Sequence, residues 1–83
     1  MQYLEIMYPN SDEPDSAKYR AIVWAEIDGI KQIVNIAEGD DFRTVVLVAT
    51  EGFQPTALKM PNGSLYYPDE ISVGEAAEAV YLI

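Results

Sequence analysis

Two β-rich runs separated by an Asp-Gly pair constrain the fold of this 83-residue chain more than any other feature. The runs are residues 17–27 (AKYRAIVWAEI) and 30–36 (IKQIVNI), with Asp28-Gly29 between them. Such a pair suits a two-residue type I′ turn, because both turn residues need a positive φ. The sequence therefore predicts a β-hairpin with this turn.

The turn also predicts a register. Three favourable pairs then lie directly across the hairpin, one of opposite charge, one aromatic–aliphatic and one aliphatic: Glu26–Lys31, Trp24–Ile33 and Val23–Val34. We expect one face of the hairpin to form the core, with only Gln32 interrupting it: Tyr19, Ala21, Val23, Ala25, Ile27, Ile30, Val34 and Ile36. The other face has an apolar centre between charges: Arg20, Ile22, Trp24, Glu26, Lys31, Ile33 and Asn35.

Turn-forming residues divide the first half of the chain into short segments. Residues 2–8 predict a strand, and the acidic, Pro-containing stretch 9–16 predicts a loop. Residues 37–41 (AEGDD) predict an acidic turn. The β-branched run 42–50 is apolar without alternation from position 45 to 49, which favours a central strand covered on both sides.

The second half contains a second predicted hairpin. Pro55 favours an edge position for the strand 53–60, because proline cannot donate to a ladder of hydrogen bonds. The following turn has two alternatives, a type I turn with Gly63 in a bulge or a type I′ turn at Asn62-Gly63. Leu65-Tyr66-Tyr67 forms the return strand.

The C-terminal segment also has two alternatives. Ser72 and Glu75 have the spacing of a helix N-terminal capping box. The helix they favour has one apolar face, formed by Val73, Ala76, Ala77, Val80 and Ile83. The alternative is a final strand over residues 79–83.

These elements predict a single mostly β (α+β) domain covering residues 1–83. Strands with turn signals roughly every ten residues favour a small curled antiparallel sheet or barrel of five or six strands, with a short C-terminal helix. We find no repeat, low-complexity segment or linker in the sequence.

The chain contains neither cysteine nor histidine, and this limits its chemistry. A disulfide framework, a Ser-His-Asp triad, a cysteine nucleophile and a Cys/His zinc site are all excluded. Neither phosphate-binding glycine motif occurs. The acidic stretches 10–15 and 38–41 lack EF-hand spacing. We therefore expect a protein that is not an enzyme and has no cofactor or metal site.

The net charge of −9, from 14 acids and five bases, indicates the class of partner. It opposes direct binding to nucleic acid and to anionic membranes, and it attracts proteins with a basic surface. The first five residues do not show the basic region followed by an apolar region that a signal peptide has. No apolar run in the sequence has the length of a membrane span. We expect a cytoplasmic protein, or one made in a host cytoplasm.

Seven residues form the predicted partner-binding site. Six are acids grouped in two predicted turns, and one is the only tryptophan, a residue type that often anchors interfaces: Asp12, Glu13, Asp15, Glu38, Asp40, Asp41 and Trp24. A third acidic group lies within residues 69–78. The sequence leaves open whether Trp24 belongs to the core or to an interface.

In size, charge and lack of catalytic groups, the chain is similar to small acidic inhibitors of phages and mobile elements, such as anti-CRISPR or anti-restriction proteins. If the acidic groups at 12–15, 38–41 and 69–78 form one anionic surface, the protein acts as a nucleic-acid mimic that docks on a basic, nucleic-acid-handling protein. The alternative is a structural or assembly subunit of a viral particle or larger complex, which joins its partner through a sheet edge and the face of Trp24.

Overall fold

The computed structural model describes residues 1–9 and 17–82. They form five strands and two helices in the order β1 (Gln2–Met7), β2 (Tyr19–Ile27), β3 (Ile30–Gly39), α1 (Phe42–Thr50), β4 (Ala57–Lys59), β5 (Leu65–Tyr66) and α2 (Val73–Tyr81). The predicted loop at 9–16 lies outside the described residues except for Pro9, which follows β1.

The strands form one open sheet in the order β3-β2-β1-β4-β5. Neighbours are antiparallel except β1 and β4, which are parallel. The predicted mostly β, α+β class with a C-terminal helix is confirmed. A closed barrel and a wholly antiparallel sheet are wrong, because β4 enters beside β1 in the same direction and β3 and β5 remain as edges.

The predicted hairpin is confirmed at its turn. Asp28 has φ 54° and Gly29 has φ 78°, as a type I′ turn requires. Glu26 pairs with Lys31, and Trp24 pairs with Ile33. The second strand extends to Gly39, so the predicted acidic turn at 37–41 shrinks to Asp40 and Asp41.

A β-bulge at Val34 changes the register beyond Trp24 and Ile33. Val23 pairs with Asn35 instead of Val34, so that predicted pair is wrong. Since a bulge adds one residue to one strand, the faces of the residues after it are exchanged. Asn35 therefore lies on the helix side, while Ile36 lies on the other face, 48% exposed.

The core lies between one face of the sheet and the two helices. Of the predicted core face, Ala21, Val23 and Ala25 are buried, whereas Ile27 and Ile30 beside the turn are more than half exposed. The buried cluster combines strand and helix residues: Leu4, Ile6, Ala21, Val23, Phe42, Val45, Val46, Ala49, Leu58, Val73, Ala76 and Ala77.

Residues 42–50 form helix α1, so the predicted central strand is wrong. The Asp41 side chain caps the helix by accepting from the Thr44 backbone N–H at 3.0 Å. The buried residues follow a helical period: Phe42, Val45, Val46 and Ala49. At the other end, the Asn35 amide donates to the carbonyls of Val48 (3.3 Å) and Ala49 (2.8 Å). This side chain thus ties the end of α1 to β3.

Helix α2 confirms the helical alternative for the C-terminal segment. The Ser72 hydroxyl accepts from the Glu75 N–H at 3.1 Å, as the capping motif predicts. The Tyr81 hydroxyl donates to the Lys59 carbonyl at 2.7 Å, which ties the last turn of α2 to β4. Ile83 lies outside the described residues.

The second hairpin differs from its prediction in position. Strand β4 lies between β1 and β5, so the predicted edge position is wrong, and Pro55 precedes the strand. The turn is the bulged alternative, because Gly63 has φ 89° and its N–H donates to the Met60 carbonyl at 2.9 Å. Asn62 does not share the positive φ, so the plain type I′ turn is wrong.

We expect Gly29→Val to destabilise the protein by about 1–2 kcal/mol or more, the cost of a left-handed conformation for a residue with a Cβ. An added Cβ at Gly29 meets nothing within 4 Å, so the effect comes from the backbone alone. Urea melts measure it. Gly29→Asn is the control, because asparagine tolerates this conformation. Equal melts for the two variants would contradict the turn.

Candidate functional site: an open sheet face and an acidic set

The face of the sheet opposite the helices presents apolar side chains. We call it the open face. Strand alternation and the bulge place these residues on it: Tyr3, Glu5, Met7, Arg20, Ile22, Trp24, Glu26, Lys31, Ile33, Ile36, Glu38, Ala57, Lys59 and Leu65. Both described helices pack on the other side. Tyr3, Ile22 and Ala57 on this face are buried, whereas Ile33 and Ile36 on the edge strand β3 are about half exposed.

Trp24 lies at the centre of the open face. Its ring stacks on Tyr3, with the ring centroids 6.3 Å apart and the planes 14° apart. Its Nε1–H donates to a Glu5 carboxylate oxygen at 2.8 Å. Trp24 is half-buried, and these two contacts hold its ring in one orientation. A partly exposed tryptophan with a fixed ring suits a protein interface.

The charges of the open face are balanced, with three acids and three bases on the strands. Glu5 lies 3.2 Å from the Lys59 ammonium, and Glu38 lies 2.7 Å from the Arg20 guanidinium. The third acid and the third base, Glu26 and Lys31, are direct cross-strand neighbours. The open face is therefore electrically neutral.

The excess negative charge of the described residues lies outside the strands. Eight acids occur there, against the two bases Lys18 and Arg43. Arg43 is already paired with Glu78 of α2. We call these eight acids the acidic set: Asp28, Asp40, Asp41, Glu51, Asp69, Glu70, Glu75 and Glu78. The fold thus separates a neutral sheet face from acidic loops and helices.

The predicted site residues are divided among these surfaces. Asp12, Glu13 and Asp15 lie outside the described residues. Trp24 and Glu38 lie on the open face. The other two lie between β3 and α1, where Asp40 accepts from the Lys18 N–H at 3.0 Å and Asp41 caps α1. Glu38, Asp40 and Asp41 line one shallow hollow of about 210 Å³.

Asp41 has a structural role in addition to its charge. Hydrogen bonds from the Thr44 hydroxyl (2.6 Å) and backbone N–H lower the pKa of its carboxyl group. Its ionised form therefore stabilises the fold above its ordinary pKa of 3.8, and this contribution is lost as the pH falls through the lower folded value.

We expect Asp41→Ala to lower the urea midpoint at neutral pH, because it removes the cap of α1. Asp41→Asn should lower it much less, since asparagine caps helices about as well as aspartate. The difference in urea midpoint between wild type and Asp41→Asn should shrink as the pH falls from the ordinary pKa of 3.8 through the lower pKa of the folded protein. A gap that stays constant down to pH 2 would contradict the role of the ionised carboxyl group.

The sequence did not predict a groove between the helices. It has a volume of about 610 Å³ and lies between α1, α2 and the segments before β4 and α2. Its apolar walls include Phe53, Pro55, Ile71 and Leu47, the last of which is 70% exposed. A strand at residues 42–50 would not form this groove. The sequence signals for the helix are the capping residue Asp41 and the helical spacing of the apolar residues Phe42, Val45, Val46 and Ala49.

Within residues 1–9 and 17–82, the acids form no group of three or more placed to hold a metal ion. No helix in the described part of the chain has the length and apolar character to cross a membrane. Comparisons of the chain with models of protein families, with curated proteins and with solved structures gave no match.

Proposed function

We propose that this is a non-enzymatic, acidic binding protein that docks on the basic surface of a nucleic-acid-handling protein and inhibits it. It would act in the cytoplasm of a host, as inhibitors of the anti-CRISPR or anti-restriction type do. The observation that carries the proposal is the separation of charge, with eight acids and two bases outside the strands of the described chain.

Several physical features support this proposal. Exposed carboxylates on one part of a surface raise the rate of encounter with a cationic cleft. Asp69, Glu70 and Glu75 are exposed, and none of the ion pairs found in the described residues involves them. The non-enzymatic part rests on the sequence, which contains neither cysteine nor histidine.

Capture followed by competition tests the proposal. The tagged protein is used to isolate partners from the cells that make it or from their host. Binding of the captured partner to a labelled DNA duplex is then followed by fluorescence anisotropy. The proposal predicts a basic partner that releases the duplex as this protein is added. A partner that holds both at once, or one with an acidic surface, would contradict it.

The second candidate function is an assembly subunit, and the open face favours it. Trp24, Ile33 and Ile36 present apolar area on a neutral surface, which resembles the centre of many protein interfaces. Salt distinguishes the two candidates, because apolar contacts weaken little with ionic strength and charge-steered contacts weaken strongly.

A further inference from the structure

Strand β3 is a long edge of the sheet. It has ten residues, and among the described residues it pairs only with β2. The outer backbone groups of an edge strand are a template for another strand. Ile33 and Ile36 add exposed apolar side chains along the same edge.

The bulge restricts which strand can pair there. Before the bulge, Lys31 and Ile33 lie on the open face. After it, Ile36 and Glu38 lie on that face, because the extra residue Val34 shifts the alternation. If a strand without a bulge paired with β3, its side chains would lie on the same faces as those of β3 on only one side of Val34. A strand with the same bulge, running in the opposite direction, keeps the match on both sides.

We propose that two copies of the protein pair through β3 in an antiparallel arrangement, with the two-fold axis between Val34 and Asn35. In this register each Ile33 lies opposite the partner's Ile36, and each Val34 lies opposite the partner's Asn35. A shift of one residue in either direction would place Ile33 opposite the partner's Asn35 or the partner's Ala37, which belong to the other face.

Charge complementarity selects the same register. Each Lys31 lies opposite the partner's Glu38, so the pairing contains two opposite-charge pairs. In the dimer, β2 and β3 of both copies are the four central strands. One row of side chains across these strands then alternates in charge: Glu26, Lys31, the partner's Glu38 and the partner's Arg20. This alternation is an extension of contacts found within one copy, where Glu26 is paired with Lys31 and Arg20 bonds Glu38.

The distribution of charge explains how two acidic molecules could associate. Each copy has a net charge of −9, which opposes association in general. The strands, however, contain equal numbers of acids and bases in the described chain. Contact through β3 brings these neutral surfaces together. Of the acidic set, Asp28, Asp40 and Asp41 flank the ends of β3, and the other five acids lie on or beside the two helices. The pairing goes beyond the proposed function and does not depend on it, since it concerns the purified protein alone.

Sedimentation velocity tests the pairing with three samples. The wild-type protein should form a dimer as its concentration rises. Lys31→Glu alone and Glu38→Lys alone should each be monomeric, because each would place two like-charge pairs across the edge. An equimolar mixture of the two variants should form a 1:1 dimer, because positions 31 and 38 of the two chains then carry opposite charges at both contacts.

The mixing experiment isolates the contact between copies. Within one chain, positions 31 and 38 are seven residues apart, a distance of about 23 Å along a strand, so they cannot compensate each other there. Arg43→Glu and Glu75→Lys are the matched controls, since they make the same changes of charge on the helices. Both controls should form dimers as the wild-type protein does.

A cross-linking measurement covers the case in which a charge variant fails to fold. The chain contains no cysteine, so Ile33→Cys and Ile36→Cys each carry a single thiol. Oxidation of their mixture should favour the 33–36 disulfide over either homodisulfide, because only that pair lies directly opposite. A wild-type protein that stays monomeric, charge variants that stay dimeric, or equal formation of all three disulfides would overturn the proposal.

Discussion

Replacing Leu58 with alanine should reduce the free energy of unfolding by about 2–5 kcal/mol, the usual cost of a cavity left by a buried leucine. Leu58 is fully buried on β4 and lies beside Leu4 of β1 in the parallel pair. The small strand β4 contributes only three residues to the sheet, so this side chain is its main anchor in the core. Urea melts followed by circular dichroism measure the loss.

Leu47→Ala is the matched control, because it makes the same change at a side chain that is 70% exposed. Surface substitutions of this kind usually change stability by less than about 0.5 kcal/mol. If the two variants had the same stability, the placement of β4 in the core would be wrong. The total free energy of unfolding of a small protein is roughly 5–15 kcal/mol. Leu58→Ala is therefore also expected to increase the unfolded fraction and the rate of proteolysis.

Trp24→Ala should reduce stability by about 2 kcal/mol, less than the roughly 3–5 kcal/mol of a fully buried aromatic ring. The variant loses the stack on Tyr3 and the hydrogen bond to Glu5. The ring is only partly buried and lies on the face opposite the helices, so this change should also remove apolar area from the open face without affecting the helices.

Trp24→Phe separates the two contributions to this effect. This variant keeps an aromatic ring beside Tyr3 and removes the Nε1–H donor to Glu5. We therefore expect its free energy of unfolding to lie between those of the wild-type protein and Trp24→Ala. An unchanged melt for Trp24→Ala would show that neither contact stabilises the fold. Binding to a captured partner is then compared at equal fractions of folded protein, which distinguishes an interface role from a structural one.

The parts of the fold that sequence predicted are those determined by local chemistry. The Asp28-Gly29 turn follows from two residues that tolerate a positive φ. The start of α2 follows from Ser72 and Glu75, whose backbone and side chains are close in sequence. Both elements can be predicted without knowing what packs against them.

Helix α1 was missed because its β-branched residues favour a strand when they are judged one by one. Tertiary packing overrides this preference, since Phe42, Val45, Val46 and Ala49 are all buried in the core cluster that the sheet and α2 share. The bulge at Val34 was missed for a similar reason. No glycine or proline marks the bulge in the sequence. The bulge places Asn35 on the helix side, where its amide donates to the last carbonyls of α1, and this contact is visible only in the folded protein.

The candidate site was predicted only in its components. Trp24 and the charged turns stand out in the sequence, but the balance of charge depends on which strands are neighbours. Glu5 meets Lys59 only because β4 lies parallel to β1. Neither that pairing nor the resulting neutral open face is visible from a pattern along the chain.

The rate of association with the captured partner, measured at several salt concentrations, tests the central claim that the acidic set is the docking surface. Two double variants remove the same charge, Asp69→Asn with Glu70→Gln from the acidic set and Glu5→Gln with Glu26→Gln from the open face. We expect the first to slow association at low salt by up to about tenfold and to flatten its salt dependence. The second should leave both nearly unchanged. If both double variants associate as the parent does, or if the open-face variant has the larger effect, the claim is contradicted.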